Sequence, residues 1–453
     1  MPKTSRYPLD ANHPAIEYNS HHLHPATSHH PRFLRLIPTL RSDFNAQFTP
    51  TAYNELLSLL SERCAGPIQF RVAETPIFLT SQTLCEMADL GAAMAHHLIA
   101  NPDYLASANA SIPAGYAVAG QSTHPHFLTA DFALIRTSSG ELLPRLVEIQ
   151  AFPSVFAYQV ELCSAYRKVF ALPQSLRTFL DSLDEASYWA LFRQTILGNH
   201  DPQNVVLTEV DPLHQKTFAD FELTRRRLGI AVVDITSLEP EGNKLFYRNA
   251  DGHRIPIHRI YNRAIADELI SRNLKLPFDL SHPWEVEWAG HPNWYFLISK
   301  YSVPLLSGAF PQVPPACFVD EFLRGPGQEL LAARGVHLPS DGGPDTSFDS
   351  LLLKPLFSFA GKGIEFSPTR ARLEALPPEE RKNYILQQRM HFEPTIETPF
   401  GLTQAEIRIL YMWPDAGDLT PALSLVRLGR GKMMGVDHNK NQEWVGGSAA
   451  FYV

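Results

Sequence analysis

Thirty-seven prolines in 453 residues constrain this chain more than any other feature of its sequence. Each fixes its own φ and removes a backbone donor, so prolines at this density demand many turns and extended connections and argue against a helical bundle. Hydrophobic residues still make up 44% of the chain and charged residues only 19%, which leaves apolar material for substantial cores and excludes wholesale disorder or a collagen-like chain. The length suits one large domain or two to three ordinary ones. Acidic residues outnumber basic ones by 47 to 39, a net charge of −8, and this argues against a nucleic-acid partner, whose backbone needs clustered Lys and Arg. No apolar run reaches the roughly 18 residues of a spanning helix, and MPKTSRYPLD has no signal-peptide core. A cytoplasmic protein with no membrane partner is expected. Cys64, Cys85, Cys163 and Cys317 lie far apart without a CxxC pair, so they read as buried reduced thiols rather than a disulfide framework or zinc site.

Residues 1–45 lack a sustained period and read as a His- and Pro-rich arm; His13, His21, His22, His24, His29 and His30 could catch a transition metal. TAYNELLSLLSERCA, with Thr51 as its cap, and SQTLCEMADLGAAMAHHLIANPDYL have helical spacing. FLTADFALIRTSSGELLPRLVEIQ reads as a hairpin about a Ser-Ser-Gly turn. Helical periodicity returns over 160–197. NVVLTEV, KTFADFELTRRRLGI and AVVDIT then form a β-α-β unit, which opens a small parallel-sheet domain over 203–300 with KLFYR and HRIYNRAI as its next members. After a Pro-rich crossing come SLLLKPLFSFAGKGIEFS, NYILQQRM, EIRILYMW and ALSLVRLGRGKMM, all β-rich, and a Gly-rich end, WVGGSAAFYV.

The chemistry starts at LLLKPLFSFAGKG. A strand that delivers Lys354 into a turn carrying Gly361, Lys362 and Gly363 is one way to hold a polyphosphate, because glycines let backbone approach phosphate oxygens. A Walker A loop is excluded, since Lys362 is followed by glycine rather than Ser or Thr. YILQQRM could place Gln387 and Gln388 beside an adenine edge. Lys300 begins the crossing into the second half, and a Gly-rich lid would close the chain.

Taken in this order, residues 125–453 resemble an ATP-grasp domain, and in detail eukaryotic-type glutathione synthetase and its circularly permuted relatives, including the glutathionylspermidine synthetase group. The resemblance implies an α/β chain of mixed α+β character, an ATP-grasp fold with an inserted small parallel-sheet substrate domain. It divides the chain into the arm 1–45, a helical and β-hairpin part 46–202, a substrate-binding part 203–300 and a nucleotide-binding part 301–453 that ends in the lid. LVEIQ matches the family's Glu-Ile-Asn strand and implies Glu148 and Gln150 as magnesium ligands. EVDPLHQ implies Asp211 and Gln215 in the acceptor cleft, against the plainer reading of Asp211 as a helix cap. RIYNRAI implies Arg263 as a substrate carboxylate clamp, a role suited to a planar guanidinium. Lys300, Lys354, Gly361, Lys362, Gly363, Gln387 and Gln388 are implied on the nucleotide. Gly446, Gly447, Ser448 and Ala449 form the lid, the glycines over nucleotide and Ser448 and Ala449 over substrate. Arg430 and Lys432 carry the catalytic role, Lys432 also on phosphate, with Arg427 a rival for Arg430.

Several positions depart from the family. Ser358 stands where it has a magnesium-binding glutamate, leaving Glu365 or Glu406 to supply that carboxylate. Thr129 replaces the substrate-binding arginine before Asp131, Ser154 is the only hydroxyl left from a serine-rich stretch, and a further tyrosine is replaced by Ala266. GVDHNKNQEW inserts Asp437, His438, Asn439 and Asn441, a polar turn or an extra set of ligands. The expectation is therefore an ADP-forming, ATP- and Mg²⁺-dependent carboxylate–amine ligase acting on a small-molecule acid and amine, with a product other than glutathione and a homodimer as the assembly considered. A non-catalytic nucleotide-binding homologue is the alternative, and a metal-binding scaffold organised by the arm is a third.

Overall fold

EIRILYM alternates charged and aliphatic side chains, the period of a strand with unlike faces. In the computed structural model, which describes residues 36–340, 343–358, 361–431, 434, 439 and 441–453, this run is the middle of the largest sheet. Its strands lie in the order β1 (Ile77–Leu79), β18 (Gly446–Tyr452), β17 (Thr420–Gly429), β16 (Gly401–Met412), β2 (Phe127–Arg136) and β3 (Leu142–Gln150), and β15 (Ile396–Thr398) pairs with the start of β16. All pairings are antiparallel except β1 with β18.

Register places Ile407, Ile409, Val426, Leu128, Ala130 and Ala450 on one face, where they pack with the apolar side of the helix Ser81–Ile99 in a predominantly apolar core. The other face is mixed. Leu410, Met412, Leu423, Leu425, Ala449 and Phe451 pack with the helix Phe156–Val169, while Glu406, Arg408, Arg427, Asp131 and Glu148 continue the same face beyond its N-terminus. Asp220, from the helix Phe218–Leu228, caps that terminus: its Oδ1 accepts from the backbone N–H of Ala157 at 2.8 Å and Tyr158 at 2.9 Å.

Three smaller sheets surround this one. β10 (Glu287–Ala289), β9 (Arg259–Asn262), β4 (Val205–Glu209) and β5 (Ala231–Asp234) are parallel, and the helix Phe218–Leu228 crosses between β4 and β5 as the β-α-β pattern requires. KLFYR, expected in that sheet, is instead the middle of an antiparallel meander of β6 (Glu239–Glu241), β7 (Lys244–Arg248) and β8 (Arg254–Ile257), because short turns return the chain before it can cross over. The fourth sheet, antiparallel, has the order β11 (Ala316–Phe318), β14 (Tyr384–Gln388), β12 (Leu351–Pro355) and β13 (Glu365–Phe366). The four β-rich segments of the C-terminal part are thus shared between two sheets. Residues Leu34–Val453 form one compact unit.

Local signals explain two shifted boundaries. The helix expected from Thr51 is Pro50–Arg63: proline takes its first turn, and the Thr49 side chain accepts from Ala52 N at 3.2 Å. The long run after Ser81 is two helices, Ser81–Ile99 and Pro102–Ala110, broken where Asn101 caps the second by accepting from Tyr104 N at 2.9 Å. Among the described residues no helix is long and apolar enough to cross a membrane. The arm and its histidines lie outside the described residues up to residue 35.

The cysteines divide unequally. Cys64, Cys163 and Cys317 are buried, and burial pushes each thiol up to about 12; Cys85 is exposed on its helix, a correction to the expectation that all four are interior. A thiol reagent at pH 8 is expected to modify Cys85 in the native protein and the other three only after unfolding. Rapid native labelling of more than one thiol in a timed assay would contradict this placement.

Candidate functional site

The charged end of the central sheet is an ionic floor. Arg408 grips Asp131 bidentately, Nε to Oδ1 and Nη2 to Oδ2 at 2.6 Å each, and its Nη1 donates to Ser154 Oγ at 3.2 Å. Arg427 Nη1 donates to Glu406 and, at 3.3 Å, to Asp131 Oδ2. Glu148 stands apart, with Oε1 3.7 Å from Arg408 and Oε2 4.0 Å from Lys300 Nζ. Lys300 lies in a short 3-10 turn, Lys300–Ser302, and donates to the backbone carbonyl of Ser358 at 2.7 Å. Burial pushes the Glu406 carboxyl up to about 7, Arg427 opposing it and Asp131 and Glu148 reinforcing it. Burial also works against the Arg427 charge, but Glu406, Asp131 and Glu148 more than offset it and hold that guanidinium above its ordinary value.

A pocket of about 310 Å³ lies beside this floor, lined by Lys354 of β12, Gln387 and Gln388 of β14, Glu406 of β16, and Arg430. That volume is at the lower end of the range for small-molecule sites. Lys354 is 6% exposed and makes no hydrogen bond or ion pair among the described residues; burial pulls its amine down to about 8, with Glu148 resisting and Lys300 assisting. Gln387 is 1% exposed, and neither its Nε2 nor its Oε1 has a partner among the described residues. Arg430 donates to Glu443 O and Thr398 Oγ1 at 3.0 Å each, while its Nε has no partner among the described residues. Buried polar atoms are ordinarily paired, so a lysine, an amide and a guanidinium N–H left without partners at one pocket fit an anionic, hydrogen-bonding ligand.

The arrangement is less accommodating to a metal. Asp131 and Glu406 are committed to arginines, and among the described residues no group of three or more His, Cys, Asp or Glu is placed to hold an ion. Among the described residues Glu148 keeps both oxygens at 3.7 Å or more from any cation, and Gln150 follows it on the same face of β3. These residues fit Mg²⁺ arriving with a polyphosphate, which needs only one or two protein oxygens.

Of the residues singled out from sequence, the floor and pocket gather Asp131, Glu148, Ser154, Lys300, Lys354, Gln387, Gln388 and Arg430, with both Arg427 and Glu406. Others lie elsewhere. Gly361 and Gly363 adopt φ of 75° and 77° in the turn between β12 and β13, and Lys362 between them is exposed and outside the pocket lining. Glu365 is bound by Arg372 Nη2 at 2.6 Å, so it does not supply the missing carboxylate. Asp211 pairs with His214 Nδ1 at 2.7 Å and makes no side-chain cap, while Gln215 Nε2 donates to Val210 O at 2.8 Å. Neither lines the pocket. Arg263 is buried, its guanidinium 5.3 Å from the Phe152 and Phe221 rings, and its Nε and Nη1 have no partner among the described residues. Beside it, burial pushes Glu209 up to about 8 while Arg263 pulls the other way.

The expected lid requires correction. Gly446, Gly447, Ser448 and Ala449 begin β18, paired with β17 on one side, while on the other Gly447 bridges Val72 and exchanges backbone hydrogen bonds with Arg71 and Ala73. Ser448 Oγ donates to Thr75 O at 2.6 Å and Ser448 O accepts from Gln159 Nε2 at 3.0 Å; a Cβ on Gly446 would meet Arg71 O at 2.5 Å. Small, uncharged residues here permit close backbone approach rather than movement. Lys432, Asp437 and His438 lie outside the described residues. Sequence reasoning misses Arg408 as a member of the floor, although a Glu and an Arg two apart between isoleucines mark a charged face on an otherwise buried strand.

No protein-family model matches the sequence, and no curated protein matches it. Among solved structures, a glutathione synthetase-like effector from Globodera pallida, in its apo form, is similar at a TM-score of 0.53 and 12% identity, over 91% of this chain and 98% of that one. A candidate gamma-glutamylcysteine synthetase from Methylobacillus flagellatus aligns at a TM-score of 0.34 and 14% identity, over 81% of this chain and 87% of that one. The first likeness shows a mixed α/β fold similar to that of a glutathione synthetase-like protein; the second lies too low to carry an argument.

Proposed function

We propose that this chain is an ATP- and Mg²⁺-dependent carboxylate–amine ligase of the permuted ATP-grasp kind, releasing ADP. The observation that carries the reading is Lys354, a buried lysine without a partner in a pocket whose Gln387 amide is also unpaired. Gln387 and Gln388 would hold the base or ribose, and Lys354 and Arg430 the phosphates. A substrate carboxylate oxygen attacks the γ-phosphorus, the bond from the β,γ-bridging oxygen to that phosphorus breaks, and ADP leaves. An amine nitrogen then attacks the acyl phosphate carbon, inorganic phosphate departs, and the nitrogen loses a proton to form the amide. Mg²⁺, held by Glu148 and Gln150, would offset charge on the transferred phosphoryl group. The chain's own part is positioning and charge: Lys354 faces the phosphate, Lys300 and Arg408 orient Glu148, and Arg263 offers two N–H groups to a substrate carboxylate.

Asp211 and Gln215 reach substrate only after giving up their present partners, and Thr129 and Ser154 leave fewer donors than the family has. Glutathione is therefore not the expected product. A second reading, nucleotide binding without catalysis, draws on Ser358 and on the arginine-bound state of Asp131 and Glu406.

Titration of ATP into the protein with and without Mg²⁺ tests both readings. Binding is expected to require Mg²⁺ and to weaken about tenfold or more in Glu148→Ala, in line with loss of an ion-linked contact. ADP release with mixtures of amino acids, peptides and polyamines then marks the ligase. Binding indifferent to Mg²⁺ and to Glu148, with no ADP release, favours the non-catalytic reading, and no nucleotide binding at all ends both.

A further inference from the structure

A larger cavity, about 680 Å³, lies on the other side of the segment that leaves β14. Four arginines line it: Arg136 at the end of β2, Arg145 of β3, Arg334 after the helix Pro326–Ala333, and Arg389 following β14. His391 and Ser307 add polar groups, and no Asp or Glu is among the described lining residues. In a chain where acids outnumber bases by 47 to 39, this is a segregated cationic surface.

The arginines are poorly neutralised. Arg136 pairs with Glu393 at 2.8 Å on its exposed side. Arg145, Arg334 and Arg389 make no ion pair among the described residues; Arg389 instead lies 5.3 Å over the Phe366 ring. Arg145 is half-buried on the sheet face that carries Glu406, opposite Ala133, and burial lowers its pKa with no carboxylate opposing. The guanidinium groups of Arg145 and Arg334, without an ion pair on one concave surface, suit carboxylate or phosphate, each able to accept two parallel N–H bonds. The volume admits a molecule rather than a single ion.

We propose that this cavity binds a small polyanion carrying two or more phosphate or carboxylate groups, at a site separate from the Lys354 pocket. The two pockets share the wall Gln388–His391, while Lys354, Gln387 and Glu406 line only the smaller one. The inference does not depend on the ligase reading, since a site for a polyanion stands whether or not the neighbouring pocket turns over ATP. Phosphate and carboxylate sources share the recognition chemistry, and separate probes distinguish them.

The test is calorimetric titration of pyrophosphate and, in parallel, citrate into the full chain, its Lys354→Ala variant and its Arg145→Gln/Arg334→Gln variant. For at least one probe, a binding component in the wild type is expected to persist in Lys354→Ala within about twofold, whatever is lost at the Lys354 pocket, and to weaken at least about tenfold in the double variant, the loss of one or more charge-assisted contacts. Pyrophosphate alone would identify a phosphorylated ligand, and citrate alone a polycarboxylate. Thermal unfolding without probe is run on each protein, with the single variants Arg145→Gln, Arg334→Gln and Arg389→Gln as substitutes if the double variant does not fold. Binding of neither probe to wild type, binding lost in Lys354→Ala, or binding unchanged in every folded arginine variant would each overturn the proposal. Failure of ATP titration with retained citrate or pyrophosphate binding would remove the ligase reading and leave this site standing.

Discussion

Lys354→Met is expected to weaken nucleotide binding sharply and, at the same time, to make the protein more stable. The amine is buried at 6% exposure without a partner, and burial pulls it from 10.5 to about 8. The unfolded chain, with its lysine near the ordinary value, binds more protons than the folded protein across the window from 8 to 10.5. Stability from this group therefore rises with pH through that window, and below pH 8 the full cost of a buried charge is present. A shift of that size corresponds to roughly 3 kcal/mol, which methionine of similar length removes. Urea unfolding at pH 7 should show the variant more stable by up to about that amount, with the gap closing towards pH 10.5. Nucleotide binding should move the opposite way, weakening by about one to two orders of magnitude on loss of a charge-assisted contact. In the wild type, phosphate would raise the Lys354 pKa, so affinity should hold steady below pH 8 and fall about tenfold per unit above it until the bound-state pKa is reached. A variant less stable than wild type at pH 7 would show that Lys354 already has a partner and remove the main support for the phosphate site.

This cost also explains how much of the site can be read in the sequence. Lys354 draws notice because an aliphatic strand delivers it into a glycine-bearing turn, although a lysine before proline at a strand end is more often a solvated edge charge, and Gln387 because two glutamines end another such strand. Glu148 and Asp131 come from the family resemblance, and the hairpin pairs them on one face. Arg408 is as central as any of them, yet its partner Asp131 is 277 residues away, and no local period reports a contact of that range. The rivalry of Arg427 and Arg430 dissolves for the same reason. Register sets Arg427 opposite Glu406, whereas Arg430, past the end of β17, turns to Thr398 and the pocket. The glycine run at the C-terminus shows the converse error: small residues signal close backbone approach, and only the pairing of β18 with β1 and β17 decides that the approach is between strands. Asp211 and Gln215 illustrate a third limit, since a local motif fixes residue types but not the neighbours, His214 and the Val210 carbonyl, that take their polar atoms.

The ionic floor itself should behave as one unit, and Arg408 is where breaking it costs most. Arg408→Met leaves Asp131, 1% exposed, with only the 3.3 Å contact to Arg427, and Asp131→Leu leaves Arg408 with Ser154 and a distant Glu148. Each single change strands a buried charge and is expected to cost about 3–5 kcal/mol. Changing both to apolar residues of similar size removes the stranded charge as well as the bond, so the double variant should lie within about 1–2 kcal/mol of wild type. Urea unfolding of the four proteins at pH 7 closes the cycle. Strong coupling would mean that the floor buys little net stability and exists to fix charges, with Arg408 holding Asp131 in place while leaving Glu148 uncommitted to any short contact. The coupled variant should then fold but lose the Mg²⁺ dependence of nucleotide binding, because Glu148 would no longer have Arg408 to orient it. Additive losses would instead assign Asp131 to Arg427, and the freedom of Glu148 would have to be sought in Lys300 alone.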